Sequence, residues 1–598
     1  MSFPENTDHL YSALKSAGSH STNSIQPEVR NISSLSVPYP STIIIYDHWE
    51  DGYEANILKP TQATTQIWGD GILTNGIAPG TTNDLIPPGH YITFDNTFNW
   101  SRPTTQIEYD GKDKIYASNE ISVTKVTGSI NTFNVQNVKT NVIDTSKFGT
   151  TYVLPFGENT KLDNTRVFRY TGLFARAMEN GTRITIKRPN GTTITGGTSP
   201  VLAEGEVWYF GGTASTPIGL YPADVDNAND LKAGYIVSSD KKFGVDLVFG
   251  GIDNYGTRNI PLYPAEYYSH TYYSPFYSTS SDAAAKAYFV NPNPGQIRIN
   301  WTRGNGTSGY FMVPGSGGAN INVFNLNVAT GTKFKSQGGE SFTAVVISDD
   351  DQINSGTALE PASGYDAAYT LLPEYRLTNF AKLAWAPGSG DLLDNFNPLW
   401  VTPTVTTTIY VKYNGDVTTG VASRRSPCGA YYDVKFDNVP ALSSRMIFGQ
   451  NNDNTGMAVF NCDNVPMAAL WGQRPFDTPA GTPFGEITPR PLDVGYTVDG
   501  SCLKKMIFAQ DDYATTGINT PVAINVVPND TAFLFSLNPS TVTAISQPAN
   551  GTITVNNGIF TYTPNFGFQG TDSFNYRICG SDPSGTYCDT ATVSINVN

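Results

Sequence analysis

Eight consecutive residues, Asp47-His48-Trp49-Glu50-Asp51-Gly52-Tyr53-Glu54, gather four carboxylates, one histidine and two aromatic rings. Two carboxyls flanking a sugar are the machinery of glycoside hydrolysis, one giving a proton while the other acts as nucleophile or base. An indole such as Trp49 offers a flat apolar platform for a sugar face. Trp49, Tyr53 and Trp68 are the aromatic candidates for ligand contact. In an extended strand, residues two apart share a face, so Asp47, Trp49 and Asp51 point one way and His48 and Glu50 the other. No single face then presents a carboxyl pair across a sugar ring. The competing expectation is a strand end whose carboxylates accept turn amides or hold a cation, and on this balance the chain is read as non-catalytic.

Other signatures of chemistry are weaker. The five histidines, His9, His20, His48, His90 and His270, are scattered, with neither His-Glu-x-x-His nor Cys-x-x-Cys spacing, which argues against a transition-metal centre. Gly304-x-Gly306-x-x-Gly309 has the spacing of a dinucleotide fingerprint, but Tyr310-Phe311-Met312-Val313 begins a strand where that motif needs a helix. No Gly-x-Ser-x-Gly elbow or phosphate-binding loop occurs. All five cysteines lie from Cys428 to Cys588. Cys579 and Cys588 flank a turn, Gly580-Ser581-Asp582-Pro583-Ser584-Gly585, and a bridge there closes a ten-residue loop. Such a bridge contributes about 2.5–3 kcal/mol on the chain-entropy estimate and implies an oxidising compartment. Cys428, Cys462 and Cys502 form an odd set whose pairing the sequence leaves open.

The elements that must position these residues are strands. Charged residues make up 15% of the 598, with 33 Tyr, 31 Phe, 56 Gly and 39 Pro, which suits short strands joined by tight turns. The fold class expected is all-β, as several consecutive β-sandwich domains of Ig-like or jelly-roll-like kind. Ile184 and Ile186 alternate before Pro189-Asn190-Gly191, and Thr193-Ile194-Thr195 returns, which is a hairpin pattern. Ile297, Ile299 and Trp301 alternate likewise ahead of Gly304. Helical periodicity is confined to two short candidates, Leu10–Ala17 and Asp282–Ala287. The tyrosine-dense run from Tyr267 to Tyr277 is either a recognition surface or, more simply, a buried strand between domains.

Turn-rich gaps divide the chain into a flexible leader at 1–38, a head region at 39–265 with room for two subdomains, sandwiches at 266–372 and 373–507, and a last unit at 508–598. A net charge of −15 repels a phosphate backbone, so nucleic acid is not an expected partner. No stretch reaches the ~18 apolar residues of a membrane helix. The first residues lack the basic-then-apolar pattern of a signal peptide, so a secreted protein would have its true start upstream.

The last unit carries Gln510-Asp511-Asp512-Tyr513, Asn519-Thr520-Pro521-Val522, Val527-Pro528-Asn529-Asp530, Gln547-Pro548-Ala549-Asn550-Gly551-Thr552 and Phe568-Gln569-Gly570-Thr571-Asp572-Ser573-Phe574 in that order. This order resembles the bacterial cadherin-like or Ig-like repeat found in tandem arrays in large surface proteins. The resemblance puts Asp511, Asp512, Asp530 and Asp572 at positions where such repeats carry acidic loop residues, which implies calcium as the cofactor. Asn-Asp pairs are also common turn formers without any ion. The longer part, about 40 to 490, carries Tyr46–Glu54, Gln66-Ile67-Trp68-Gly69-Asp70-Gly71, Phe148-Gly149-Thr150-Thr151-Tyr152, Trp385-Ala386-Pro387-Gly388-Ser389 and Ala469-Leu470-Trp471-Gly472-Gln473. It resembles the N-terminal region of very large bacterial surface proteins, Bacteroidetes gliding adhesins among them, and is distantly similar to the IgGFc-binding-protein N-terminal domain. Together these resemblances imply an extracellular or cell-surface adhesin fragment. Its head would bind a glycan, a surface polymer or a protein, and its Ig-like repeats would project that head. The alternatives are a structural spacer or coat component and, more remotely, a polysaccharide-degrading enzyme.

Overall fold

The computed structural model describes residues 29–98, 113–130, 135–141, 145–157, 170–211, 230–250, 258–279, 284–315, 322–349, 367–387, 397–472, 495–498 and 506–598, together with 107 and 109 and apart from 452, 534–536 and 583–584. Strands dominate throughout, as the alternating patterns require. The chain divides into two compact units, one within Met1–Asp416 and Val434–Ser501, the other within Val417–Asp433 and Cys502–Asn598.

The first unit repeats one sandwich along the chain. Strands β1 (Val29–Ser36), β2 (Ile44–Asp47), β3 (Gln66–Trp68), β4 (Tyr91–Phe98), β5 (Lys114–Ala117), β6 (Ser122–Ile130) and β7 (Val135–Asn141) make sheets ordered β4-β1-β6-β7 and β3-β2-β5. The second sandwich follows with β8 (Gly149–Val153), β9 (Tyr170–Ala177), β10 (Thr185–Lys187), β11 (Thr193–Thr198), β12 (Val207–Gly211), the long β13 (Ile236–Gly250) and β14 (Arg258–Leu262). The third comprises β15 (Thr271–Ser274), β16 (Ala284–Val290), β17 (Ile297–Arg303), β18 (Ser308–Val313), β19 (Asn322–Asn325), β20 (Thr332–Ser336), β21 (Thr343–Asp349) and β22 (Ala368–Thr370). The fourth comprises β23 (Phe380–Lys382), β24 (Leu399–Pro403), β25 (Thr407–Lys412), β26 (Val434–Val439), β27 (Arg445–Ile447), β28 (Ala458–Phe460), β29 (Met467–Gly472) and β30 (Gly495–Thr497).

Their sheet orders coincide. The third sandwich has β15-β20-β17-β18 and β19-β16-β21-β22, and the fourth has β23-β28-β25-β26 and β27-β24-β29-β30. In the second, β13 serves both sheets: its first half pairs with β8 and β10, and its second half with β9 and β14. The first sandwich has the same order without an equivalent of β8, β15 or β23 among the described residues. Last strands touch in a closed cycle, since β14 packs on β7 and β22 while β30 packs on β22 and β7.

Alternation explains how the sandwiches fuse. Side chains of a strand alternate between faces, and in β24 and β29 both faces are buried. Leu399, Val401, Ala469 and Trp471 fill their own core, whereas the cross-strand pair Trp400–Leu470 enters the core of the third sandwich. The pair Tyr288–Val345 enters the second core in the same way, and Ile32–Val126 enters the fourth. A further tie occurs at the turns ahead of the third and fourth sandwiches. Glu266, in the 3-10 turn Ala265–Tyr267, accepts from the Thr150 amide at 3.0 Å, and Glu374, in the turn Glu374–Arg376, accepts from the Tyr273 hydroxyl at 3.1 Å.

Several expectations change at this point. Strand β1 lies inside the segment read as a leader at 1–38, because Ile32 and Leu35 alternate onto two different cores. The boundaries at 265 and 372 do not separate independent cores, since neighbours share side chains across both. Asp282–Ala287 is not a helix: its described part begins β16, held by pairing on both sides. Leu10–Ala17 lies outside the described residues. The hairpin around Gly191 is present, with that glycine at φ +84°, and Gly304–Thr307 turns β17 into β18. The tyrosine run supplies β15, whose side chains are all buried, in keeping with the simpler reading.

The second unit holds β31 (Met506–Phe508), β32 (Asp512–Thr516), β33 (Val522–Asn525), β34 (Thr531–Phe533), β35 (Asn538–Ala544), β36 (Gly551–Asn556), β37 (Ile559–Pro564), β38 (Gly570–Asp582) and β39 (Gly585–Val597). Sheets β32-β39-β38-β35 and β33-β37-β36 enclose a core that includes Val526, Phe560, Tyr562, Phe574, Tyr576 and Val593. Cys579 and Cys588 sit directly opposite on β38 and β39 and are bonded, as the sequence predicts. Cys428 and Cys462 are each in a disulfide, and Cys502 lies outside the described residues.

Candidate functional site

Strand β2 carries the acidic segment to the open end of its sheet. It pairs antiparallel with β5 so that Ile44 faces Ala117 and Asp47 faces Lys114. One step further along that register, His48 lies opposite Asp113, 65 positions away in sequence. The His48 Nδ1 stands 3.6 Å from the Asp113 Oδ2. Glu50 joins them, and one ligating atom from each of His48, Glu50 and Asp113 lies within 4.8 Å of the others. Asp113 is fully buried and His48 nearly so, while Glu50 is half-buried. The Asp113 carboxylate is fixed by the Tyr46 hydroxyl, which donates to Oδ2 at 2.8 Å, and by the Trp49 amide, which donates to Oδ1 at 3.1 Å. The rings of Tyr46, Tyr109 and His48 pack tilted or edge-on to one another beside this cluster, with centroids about 5 Å apart.

The other carboxylates of the segment hold the loop together. Asp47 accepts from the Glu54 amide at 3.1 Å, and burial pushes its pKa up to about 6. Glu54 accepts from the amides of Thr61 and Gln62, both at 2.7 Å, and from the Thr65 hydroxyl. Burial opposes its ionisation, but the amides of Gln62 and Thr61 outweigh that and hold its pKa below the usual value. Asp51 accepts from the Thr64 hydroxyl. These are the turn bonds expected of a strand end.

The aromatic candidates separate. Trp68 lies wholly inside the first core, against Tyr46 and Phe94, and is not a ligand contact. The strand pattern there gave one face to the core, and β3 uses Trp68 for it. Trp49 is half-buried above Asp113. The Tyr53 ring lies under the ammonium of Lys114 in β5 at 3.8 Å, and its hydroxyl reaches Arg176 of the second sandwich. Burial raises the Tyr53 pKa to about 12 against the pull of Arg176. Lys114 in turn pairs with Glu204. Asp113, Arg176 and Glu204 carried no signal in the sequence, since only the β2–β5 register and the fused sandwiches bring them to the segment.

In the second unit, the four aspartates do not gather. Asp530 accepts the Tyr576 hydroxyl at 2.9 Å and the Gln510 amide at 2.8 Å, and burial raises its pKa to about 6. Burial likewise raises that of Asp512, which faces the same tyrosine. Asp511 accepts the Thr592 amide at 2.7 Å. Asp572 is grouped apart, bonded by the amides of Ala549, Asn550 and Ser573 and by the Tyr562 hydroxyl. Among the described residues, only His48, Glu50 and Asp113 form a cluster of three or more metal-ligating side chains.

Residues 505–596 match the bacterial Ig domain family. That span lies within the 502–598 segment of the second unit. No curated protein matches the chain. Among solved structures, the chain is similar to immunoglobulin domains 1–5 of Sidekick-1 at 9% identity, covering 96% of this chain and 100% of that one with a TM-score of 0.11. It is also similar to a tetra-tandem repeat from the extending region of a large adhesion protein, at 11% identity, 73% and 97% coverage and a TM-score of 0.09. Likenesses at these scores carry no argument.

Among the described residues, no helix is long and apolar enough to cross a membrane.

Proposed function

We propose that this chain is a non-catalytic piece of a bacterial surface or secreted adhesin. The first unit is a rigid head that takes a glycan, a surface polymer or a protein, and the second is the first of a series of projecting repeats. The observation that carries this reading is the bacterial Ig match at 505–596, directly following a head of fused sandwiches. The paired cysteines of β38 and β39 fit an extracellular location.

Hydrolysis of a polysaccharide is disfavoured by burial. Glu50 and Asp113 approach closely enough for a retaining carboxyl pair, but Asp113 has 0% exposure and no sugar ring can lie between them. The spacer reading has one observation in its favour, namely the extensive apolar joints between sandwiches, which suit a stiff strut.

The test is binding of the intact chain to glycans, matrix proteins and bacterial cells, with polysaccharide breakdown assayed alongside. Saturable binding without sugar release supports the adhesin. Sugar release overturns it, and binding to nothing moves the spacer ahead. Calcium at Asp511, Asp512, Asp530 and Asp572 is tested in the same samples. Chelator lowers the melting temperature of the second unit if an ion bridges them and leaves it unchanged if Tyr576, Tyr562 and backbone amides are their partners. The hydrogen bonds favour the second outcome.

A further inference from the structure

We propose that His48, Glu50 and Asp113 form a binding site for one first-row divalent metal ion of zinc type, placed where the first sandwich meets the second. The donor set is one imidazole nitrogen and two carboxylates, which suits zinc and its neighbours. Calcium is the poorer occupant, because it wants six to eight oxygens and three protein side chains supply two carboxylates at most. This reading is independent of whether the head is an adhesin.

Geometry supports the assignment in three ways. Donor atoms around a tetrahedral ion sit roughly 3.4 Å apart, given metal–ligand distances near 2.0–2.1 Å. His48 and Asp113 are already at 3.6 Å, so only Glu50 has to move inward. Glu50 is also the half-buried member of the three. Second, Asp113 is oriented as metal-binding carboxylates usually are, by hydrogen bonds from outside the ligand set. Tyr46 and Trp49 each donate one. Third, the ligands come from two sides of one cross-strand position, His48 and Glu50 after β2 and Asp113 before β5. A metal there ties the free end of the sheet.

The loop that follows carries Tyr53 onto Arg176 and Lys114. Fixing its start fixes that approach, so metal occupancy and the firmness of this joint rise together. Three protein ligands leave at least one position for water or for a donor from a ligand.

The experiment uses the intact, untagged chain, stripped with chelator and titrated with cobalt(II) and zinc, with calcium and magnesium as controls. We expect one equivalent of cobalt to give the visible absorption of a four- or five-coordinate ion, displaced by zinc, with the melting transition of the first unit rising by a few degrees. Glu50→Gln and His48→Gln should each weaken cobalt binding at least tenfold while leaving the far-ultraviolet circular dichroism of the metal-free chain unchanged. Glu50→Gln keeps the test decisive, because its half-buried side chain is the least needed for folding. Uptake of cobalt that is equal in the parent and both variants sinks the proposal. So does the absence of saturable binding, or a preference for calcium over zinc.

Discussion

The joints on either side of the third sandwich and the joint between the first two are built from opposite materials. Where the third meets the fourth, Trp400 and Leu470 leave their own sheet and complete a neighbour's core. At the corresponding place in the second sandwich, the outward cross-strand partners are Phe174–Asp246 and Arg176–Gly244. Arg176 and Asp246 are both nearly fully buried, and Arg176 bonds Tyr53 and feels the charge of Asp113 across the joint to the first sandwich. The core of the first sandwich accordingly receives no side chain from its neighbours among the buried residues that define it. Apolar contact is indifferent to direction and scales with buried area. Buried charge demands specific partners and is costly to disturb. A sandwich repeated with one topology can therefore be fused permanently at one edge and left chemically adjustable at another by changing a single cross-strand pair.

The largest effect should come from cutting an apolar joint. Trp400→Ala deletes an indole with 1% exposure that packs edge-on against Phe276 and Tyr277. The transfer and cavity terms together cost about 3–5 kcal/mol. Guanidinium denaturation followed by circular dichroism should show the transition of the first unit moving down while that of the second unit stays. An equal shift in both transitions would break the contrast.

A smaller effect separates charge from apolar contact where the fourth sandwich meets the first. Lys382, at the end of β23, has its ammonium buried without a hydrogen-bond partner among the described residues, facing His90 and Asp416. Burial pushes its pKa down to about 7, with Asp416 pulling the other way. The unfolded chain keeps this proton up to about pH 10.4, whereas the folded chain loses it near 7. Between those limits the unfolded state binds more protons, so stability rises with pH. From pH 7 to 9 the gain should be about 2 kcal/mol, and Lys382→Met should abolish the slope and stabilise the chain at pH 7. A slope that survives the substitution assigns the effect elsewhere. His90, whose pKa burial and Lys382 both lower, should then return toward its ordinary value in the variant.

Much of this architecture was legible in the residues, and the failures share one cause. The all-β class, the hairpin at Gly191, the bridge between Cys579 and Cys588 and the last domain follow from local patterns, because turn chemistry and alternation act over a few residues. Strands buried on both faces broke the alternation rule. Met467-Ala468-Ala469-Leu470-Trp471 reads as one apolar run, and nothing in it says that Leu470 belongs to another sandwich's core. The acidic segment was visible, and the turn-holding roles of Asp47 and Glu54 agree with its plainer reading. Its third metal-capable partner was not, since a β2–β5 register that brings Asp113 to His48 depends on loops whose lengths carry no register information. The scattered histidines argued against a transition metal because spacing within one element was the only signal available.

The finest test asks how tightly the polar joint fits. Gly205, just before β12, has φ +76°, and a methyl group there would stand 2.0 Å from the Tyr53 hydroxyl. Gly205→Ala therefore carries two costs, backbone strain of about 1–2 kcal/mol for a left-handed alanine and displacement of Tyr53. The first belongs to the second sandwich alone, whereas the second belongs to the joint. In a Tyr53→Ser background the clash disappears and only the strain remains, so a double-mutant cycle isolates the joint. A coupling of about 1 kcal/mol is expected, with hydrogen exchange in the segment 48–54 accelerated by Gly205→Ala alone. If the two changes were simply additive, Tyr53 would be resting on the second sandwich without being held by it. The adjustable joint would then depend on Lys114 and Glu204.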